Sequence, residues 1–272
     1  MTTPILPRIV QVMVGPAGAP GIMWSDLYIK FSVEKSKGKN PNKAKVELYN
    51  LSPASLQLLE MPNLVLRLFA GESVPSLLFQ GDIGKRGIKT VITAPDQVTT
   101  IECGDARKAT REASFTRSYP AGTPHTLILA DLSATLALQG VVVGYVDPTL
   151  EPVTYAGGVT FCGKARTALD QLASDLGGEW SIQDGVLNLV SSGSPLPGAA
   201  VVISSLSGMR GSPERTNKGI SVTTKLCPQI GCGKIVSVVS KLVTGFYRVT
   251  KVSHEGDSRG MSWDTKLEGV PL

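Results

Sequence analysis

Residues 26–49 read DLYIKFSVEKSKGKNPNKAKVELY, and this stretch decides the fold class. Apolar and polar side chains alternate strictly over residues 26–34 and again over residues 43–49. A period of two is typical of a half-buried β-strand. Residues 35–42 between them are polar and contain Gly and Pro, which indicates a turn. The stretch therefore predicts a β-hairpin.

The same alternation continues on both sides of this hairpin. It predicts further strands at residues 7–14, 63–69, 76–83, 87–94 and 97–103. Ser52 followed by Pro53 predicts the N-cap and first residue of a short helix. Several short strands separated by turn residues indicate a sandwich or a barrel. Residues 1–105 are therefore expected to form a first β domain.

Residues 106–195 change character and predict a small α+β domain. A helix is expected to begin with Thr123 as N-cap and Pro124 at its first position. Residues 163–176 give the clearest helical pattern, because their apolar side chains recur on one face before a Gly pair. The helix that begins at Pro124 is expected to end near residue 138. A strand is predicted at residues 141–146, and a hairpin at 179–190 with Asp184-Gly185 at its turn.

The end of the chain predicts strands again. They are expected at residues 201–203, 219–226, 234–240, 245–252 and 261–267, with a polar loop at 254–260. Residues 196–272 are assigned to a second β domain. The predicted fold class is therefore mainly β, with two barrel-like β domains flanking an α+β insert.

The composition excludes several classes of protein. A hydrophobic share of 42% and a charged share of 18% exclude a disordered chain and a coiled coil. No apolar run reaches the roughly 18 residues that a membrane helix needs. The first 20 residues lack a basic segment followed by an apolar one, so no secretory signal is expected. The net charge of +5 is only mildly basic and does not by itself indicate nucleic-acid binding.

The four cysteines do not indicate a disulfide scaffold or a metal site. Cys103 and Cys162 stand alone in the sequence, and Cys227 and Cys232 form a single C-x4-C pair. A structural zinc site needs four sulfur or nitrogen ligands in compact spacing. We expect reduced thiols, no metal and no cofactor.

No catalytic motif is present, so the chain is not expected to be an enzyme and no catalytic residue is assigned. His125, at a predicted helix start, is only weak evidence for a general base. His254, Glu255, Asp257 and Asp264 could together bind a metal or perform acid–base chemistry. Their position beside Gly256 and Gly260 favours instead a polar turn between strands.

Two surface features leave a binding role open. Lys35, Lys37 and Lys39 are expected at an exposed hairpin tip, where they could contact phosphate or an acidic partner, although a solvated tip is the simpler interpretation. A module that reads a host surface would need exposed aromatic side chains. Trp24 is the one candidate, because Trp180 and Trp263 lie in strand patterns that predict burial.

Three regions carry a family resemblance. They are IKFSVEKS at 29–36 with PNKAKVELYNLS at 41–52 and LFQGDI at 78–83; LGGEWSI at 176–182 with GVLNL at 185–189; and LCPQI at 226–230 with GFYRVTKVSHEGDSRGMSWDT at 245–265. In this order they resemble the baseplate (tail) hub proteins of long-tailed bacteriophages, which are related to the hub proteins of contractile injection systems. The resemblance touches all three predicted domains and covers most of the chain.

The resemblance implies a structural role in the virion. Its two β domains would be tail-tube-like barrels, and three copies would imitate a sixfold tube ring. This homotrimer would join the tail tube or distal tail protein to the central spike, beside other baseplate proteins and around a channel that DNA crosses. The protein would be made in the host cytoplasm and located in the tail baseplate. The lysine cluster at 35–39 is expected to face neighbouring proteins and not the channel.

Two other functions remain as alternatives. One is a module of the tail that binds the host surface. The other is a peptidoglycan hydrolase that uses the acids between residues 254 and 264.

Overall fold

The computed structural model describes residues 7–16, 18–37 and 42–272. Two compact units divide the chain: the β unit, Met1–Gly104 with Pro197–Leu272, and the inserted unit, Asp105–Leu196. The prediction of a mainly β chain is confirmed, because strands make up 53% of it and helices 13%. The finer division into three domains, with boundaries at 105 and 195, stays a prediction.

The first half of the β unit covers residues up to 104. Its elements are β1 (Arg8–Pro16), β2 (Ile22–Trp24), β3 (Ile29–Ser36), β4 (Lys43–Tyr49), α1 (Pro53–Leu59), β5 (Leu64–Glu72), β6 (Ser76–Thr93) and β7 (Asp96–Gly104). The predicted hairpin is confirmed as β3 and β4, which pair antiparallel with Phe31 opposite Val46 on the buried face. Ser52 caps α1 through a hydrogen bond from the Ser55 backbone N–H at 3.3 Å.

One predicted turn in this half is wrong. The segment Gly84–Gly87 does not separate two strands, because β6 runs through it without interruption. The register with β7 shifts between Ile83 and Ile88, so the extra residues form a bulge. A Cβ at Gly87 would collide with the Glu102 backbone oxygen, so the close approach of β7 accounts for this glycine.

The inserted unit packs helices against a small sheet. Its elements are α2 (Arg107–Arg111), β8 (Arg117–Tyr119), β9 (Thr123–Pro124), α3 (His125–Ala137), β10 (Val142–Val146), β11 (Thr154–Tyr155), β12 (Val159–Phe161), α4 (Ala165–Asp175), β13 (Gly178–Gln183) and β14 (Val186–Ser191). The predicted α4 is confirmed, and Gly177 follows it at φ +64°. The hairpin at 179–190 is also confirmed, with positive φ at Asp184 and Gly185, as a type I′ turn requires.

The predicted start of α3 is one residue too early. Thr123 and Pro124 form the short strand β9, and Pro124 is the N-cap residue. The Thr123 hydroxyl donates to the Pro120 carbonyl at 2.7 Å and does not cap the helix.

The second half of the β unit covers residues 197–272. Its strands are β15 (Val201–Ser204), β16 (Met209–Thr216), β17 (Gly219–Lys225), β18 (Ile235–Val239), β19 (Thr244–Asp257) and β20 (Trp263–Pro271). The sequence does not predict β16, because its mostly exposed residues show no apolar alternation. The predicted loop at 254–260 is too long, because β19 continues to Asp257.

One thirteen-stranded sheet holds both halves of the β unit, in the order β16-β17-β20-β19-β3-β4-β7-β6-β5-β1-β2, with β18 and β15 branching from β19. The halves meet where β3 and β19 pair antiparallel, from Ser36 opposite Lys251 to Lys30 opposite Asp257. The sheet curls, and this brings the Arg8 guanidinium on β1 to 5.2 Å from the ring centre of Trp263 on β20, although these strands are not neighbours in the sheet. Two hydrophobic clusters fill the β unit: one joins the first half to Leu226 and Trp263 of the second, and the other lies within the second half.

Candidate functional site

A broad polar surface of the β unit is one side of five neighbouring strands, β7, β4, β3, β19 and β20, which we name the charged face. Their alternate side chains are buried in the two cores, so the others reach this side. Its ionisable residues are Glu102; Lys43, Lys45 and Glu47; Lys30 and Glu34; Lys251, Glu255 and Asp257; and Asp264, Lys266 and Glu268. Carboxylates outnumber ammonium groups here, although the whole chain has a net charge of +5.

Opposite charges lie next to each other across the strands of the charged face. Lys45 is directly opposite Glu102 on β7, and its Nζ lies 2.7 Å from Glu47 on its own strand. The hydrogen bond and charge of Glu47 raise the pKa of Lys45. On β20, Asp264 pairs with Arg210 of β16 at 2.8 Å. The charges at these positions are therefore balanced by a close neighbour of opposite sign.

A tyrosine pair holds Lys30 at one end of the charged face. Its Nζ lies 5.2 Å and 5.6 Å from the ring centres of Tyr28 and Tyr49, and 3.9 Å from Asp257. The pKa of Lys30 is raised, first by the Tyr28 and Tyr49 hydroxyls that hydrogen-bond to it. Tyr28 also donates to Asp257 at 2.9 Å. Lys30 therefore stays charged and is held in place by its neighbours.

The candidate catalytic or metal-binding residues, His254, Glu255, Asp257 and Asp264, do not come together at one site. His254 points into the core at 1% exposure, with Nδ1 2.9 Å from the Thr265 hydroxyl, and burial lowers its pKa to about 3. Glu255, the next residue of β19, points to the opposite side. Asp264 is engaged with Arg210.

Asp257 is a turn residue. Its carboxylate accepts the backbone N–H groups of Arg259 at 2.9 Å and Gly260 at 2.6 Å. Burial opposes its ionisation, but these hydrogen bonds and the one from Tyr28 hold its pKa below the usual range. Within the described parts of the chain, no group of three metal-ligating side chains is found.

The lysine cluster differs from its prediction. Lys35 is 6% exposed, because β3 continues to Ser36 and places it on the inward side next to Val252 of β19. Lys37 is half-buried, and its backbone N–H donates to the Thr250 carbonyl at 3.0 Å. Lys39 lies outside the described residues. The expectation of three exposed lysines is therefore wrong at Lys35.

The tryptophans do not form an exposed aromatic surface. Trp24, expected to be exposed, is 8% exposed, and its Nε1 donates to the Ser55 hydroxyl at 3.2 Å. The predicted burial of Trp263 is confirmed at 0% exposure. Trp180 is half-buried and donates to Asp170 at 3.0 Å.

None of the four cysteines is in a disulfide bond: Cys103 and Cys232 are buried, Cys227 is half-buried and Cys162 is exposed. None of the described helices is long and apolar enough to cross a membrane.

A feature that sequence analysis missed lies where β15 forms an edge of the sheet. Val202 of β15 and Phe246 of β19 lie in one row, at 54% and 58% exposure. Val239, Leu242 and Leu272 are also exposed there, and the Leu272 backbone N–H donates to the Phe246 carbonyl. We name these five residues the apolar edge patch. The hint in the sequence was Phe246, a large apolar residue at an outward position of a strand.

Solved structures with the same fold are phage tail and secretion proteins. The tail protein from Neisseria meningitidis MC58 matches with a TM-score of 0.66 and 12% identity, over 97% of this chain and 96% of that one. The 43 kDa tail protein of prophage MuSo2 from Shewanella oneidensis matches with a TM-score of 0.67 and 9% identity, over 97% and 98%. The E. coli c3393 protein, a type VI secretion component with structural similarity to the T4 tail proteins gp27 and gp5, matches with a TM-score of 0.58 and 12% identity, over 95% and 76%.

No protein-family model and no curated protein matches the sequence. At these identities the likeness establishes the fold. The chain therefore has the fold of phage tail proteins and of a type VI secretion component, over nearly its whole length.

Proposed function

We propose that this chain is the structural hub of a phage tail baseplate or of a related contractile injection device. Three copies form a pseudo-sixfold ring between the tail tube and the central spike. The observation that carries this proposal is the fold likeness to tail proteins, which spans both halves of the β unit and the inserted unit. Fold alone does not establish function, so the surfaces must also suit the role.

The charged face suits the wall of a channel that DNA crosses. Each Lys that neutralises a phosphate releases counterions, so a row of unpaired lysines would bind DNA tightly. On this face Lys45 is engaged with Glu47 and Lys30 with Asp257. Carboxylates also outnumber ammonium groups on this face, so it would repel phosphate weakly and DNA would slide past it.

The apolar edge patch suits the contact between neighbouring copies. β15 is a short edge strand without charged residues, whereas the edge strand β16 carries Arg210, Glu214 and Arg215. Charged residues on an edge strand prevent pairing with other chains. The β15 side is therefore the more suitable place for a permanent contact.

The remaining surfaces of the ring would contact the tube or distal tail protein, the spike and other baseplate proteins. The proposed role is mechanical, requires no turnover or cofactor, and places the protein in the virion tail.

The test is single-particle imaging of the chain in its native particle, or of the purified chain mixed with its tube and spike neighbours. We expect three copies on the tail axis, with the charged face towards the channel and the apolar edge patch between copies. A single copy off the axis, or copies at fibre positions, would refute the hub and favour host-surface binding. Purified Asp257→Asn protein, tested for peptidoglycan hydrolysis beside the wild type, checks the remaining alternative.

A further inference from the structure

The inserted unit has an unusual edge strand. β10 lies at one end of the sheet β10-β14-β13 and pairs, among the described strands, only with β14. Val142, Val143 and Val146 are 59%, 40% and 37% exposed. Residues 138–146, LQGVVVGYV, carry no charge. An exposed, apolar edge strand is a template for pairing with another chain.

The backbone of β10 is suitably oriented for such pairing. The Val142 N–H donates to the Gly185 carbonyl at 2.9 Å, towards β14. Backbone groups of successive residues in a strand point to opposite sides, so the N–H and C=O of Val143 point to the outer edge.

Two other edges of the same chain, β16 and the later part of β6, are protected. β16 carries Pro213 between charged residues, and its register with β17 shifts. The later part of β6 pairs only with β7 among the described strands, and it carries Lys85, Arg86 and Lys89 beside a bulge. Charges, proline and bulges are the usual protection against strand addition. β10 has a bulge between Val143 and Val146 but neither charge nor proline.

An apolar cleft lies at the C-terminal end of β10. It has a volume of about 290 Å³, and its walls are Val146, Pro148, Leu150, Pro152, Leu129, Leu176 and Leu189, with His125 and Asp147. This volume is at the lower end of the roughly 300–1,000 Å³ of ligand pockets. It is therefore suited to one large apolar side chain.

The polar groups of the cleft do not call for a charged ligand. The Asp147 carboxylate accepts the Thr149 N–H at 2.9 Å, the Thr149 hydroxyl at 2.7 Å and the Ser191 N–H at 3.2 Å. His125 Nδ1 lies 3.1 Å from the Val153 carbonyl oxygen and 3.2 Å from the Val153 backbone nitrogen, so this ring atom contacts the chain's own backbone.

We propose that β10 and this cleft form a receptor for an extended, uncharged segment of a partner protein, which adds as a strand at the outer edge of β10 and places an apolar side chain in the cleft. In strand addition the backbone hydrogen bonds supply affinity, and pockets for alternate side chains supply specificity. Val146 belongs to both the edge and the cleft, so one short segment can use both. Carboxylates or ammonium groups on that segment would face valines and lose their hydration without a partner. The inference does not depend on the hub proposal.

The test uses the full-length chain and a terminally blocked, fluorescently labelled peptide, Thr-Val-Thr-Leu-Thr-Val-Thr, as the probe. We expect saturable binding by fluorescence anisotropy, and binding at least about tenfold weaker for the same peptide with Lys in place of Leu. Val143→Lys and Val146→Lys should each weaken binding by at least about tenfold. Val202→Lys, at an exposed valine of β15, is the matched control and should change it less than about twofold. Circular dichroism checks that each variant is folded.

Three outcomes would overturn the inference. The first is no saturable binding at about 1 mM peptide. The second is binding that Val143→Lys leaves unchanged. The third is dimerisation of the chain that Val143→Lys abolishes while the peptide does not bind, which would identify a second copy as the occupant. None of these outcomes tests whether three copies of the chain form the proposed ring.

Discussion

Replacement of Gly256 by Ala tests the strand pair that joins the two halves of the β unit. Gly256 on β19 lies opposite Phe31 on β3, and a Cβ there would lie within 3.0 Å of three atoms of the Phe31 ring. That ring is 5% exposed and packs against Trp263, with ring centres 6.2 Å apart, so it has little room to move. Overpacking of this kind costs about 1–3 kcal/mol.

The backbone entropy of alanine opposes this loss. Gly→Ala stabilises a compatible site by about 0.4–1 kcal/mol through the unfolded chain. The steric cost is larger, so Gly256→Ala should lower the free energy of unfolding by about 1–2 kcal/mol. Gly245, also on β19, is the matched control, because its Cβ would meet nothing closer than 3.4 Å. Gly245→Ala should be neutral or slightly stabilising.

The assay is urea unfolding followed by tryptophan fluorescence. Because the chain has two compact units, the measurement must report one of them. Trp180→Phe as the background leaves Trp24 and Trp263, which both lie in the β unit. Phe31→Leu shortens the side chain, so adding Gly256→Ala to it should cost about 1 kcal/mol less than in the parent. Equal stability of the two alanine variants, or strict additivity with Phe31→Leu, would refute the packing argument.

Three further predictions follow from the surfaces and the core. Phe246→Glu should weaken self-association of the purified chain at least about tenfold in sedimentation, whereas Leu206→Glu, at a 98% exposed loop residue, should not. Replacement of both Glu47 and Glu255 by Lys should increase the affinity for duplex DNA. The slope of the logarithm of the binding constant against the logarithm of the salt concentration should become steeper by about 2. Because the folded pKa of His254 is about 3, below its ordinary 6.5, its neutral form should make its full contribution to the free energy of unfolding above about pH 6.5. From pH 6.5 towards pH 3 the free energy of unfolding should fall by up to about 1.4 kcal/mol per pH unit. His254→Gln should remove this part of the pH dependence.

Local patterns predicted the elements whose partners are near in sequence. The helix α4 has its apolar residues on one face, and the hairpin at Asp184-Gly185 needs residues that tolerate positive φ. Both signals are complete within a few residues. They could therefore be read without knowledge of the rest of the chain.

Elements that depend on distant partners were predicted less well. Residues 84–87, Gly-Lys-Arg-Gly, have the composition of a turn. In the structure they form a bulge within β6, because the neighbouring strand β7 lies close to them. His254 and Gly256 continue the inward alternation of Val252, but a His-Glu-Gly-Asp sequence also suits a loop. Pairing with β3 keeps this segment extended, and those partners are more than 200 residues away.

The charged face shows why both halves of the β unit are needed together. Lys30, in the first half, has its carboxylate partner Asp257 in the second half, at the end of the strand pair that joins them. Separation of the halves would leave Lys30 exposed without that carboxylate and would expose the edges of β3 and β19. A balanced surface for passing DNA therefore depends on the β3–β19 pair, and a variant that weakens this pair should impair both the stability of the chain and the neutrality of the channel that we propose.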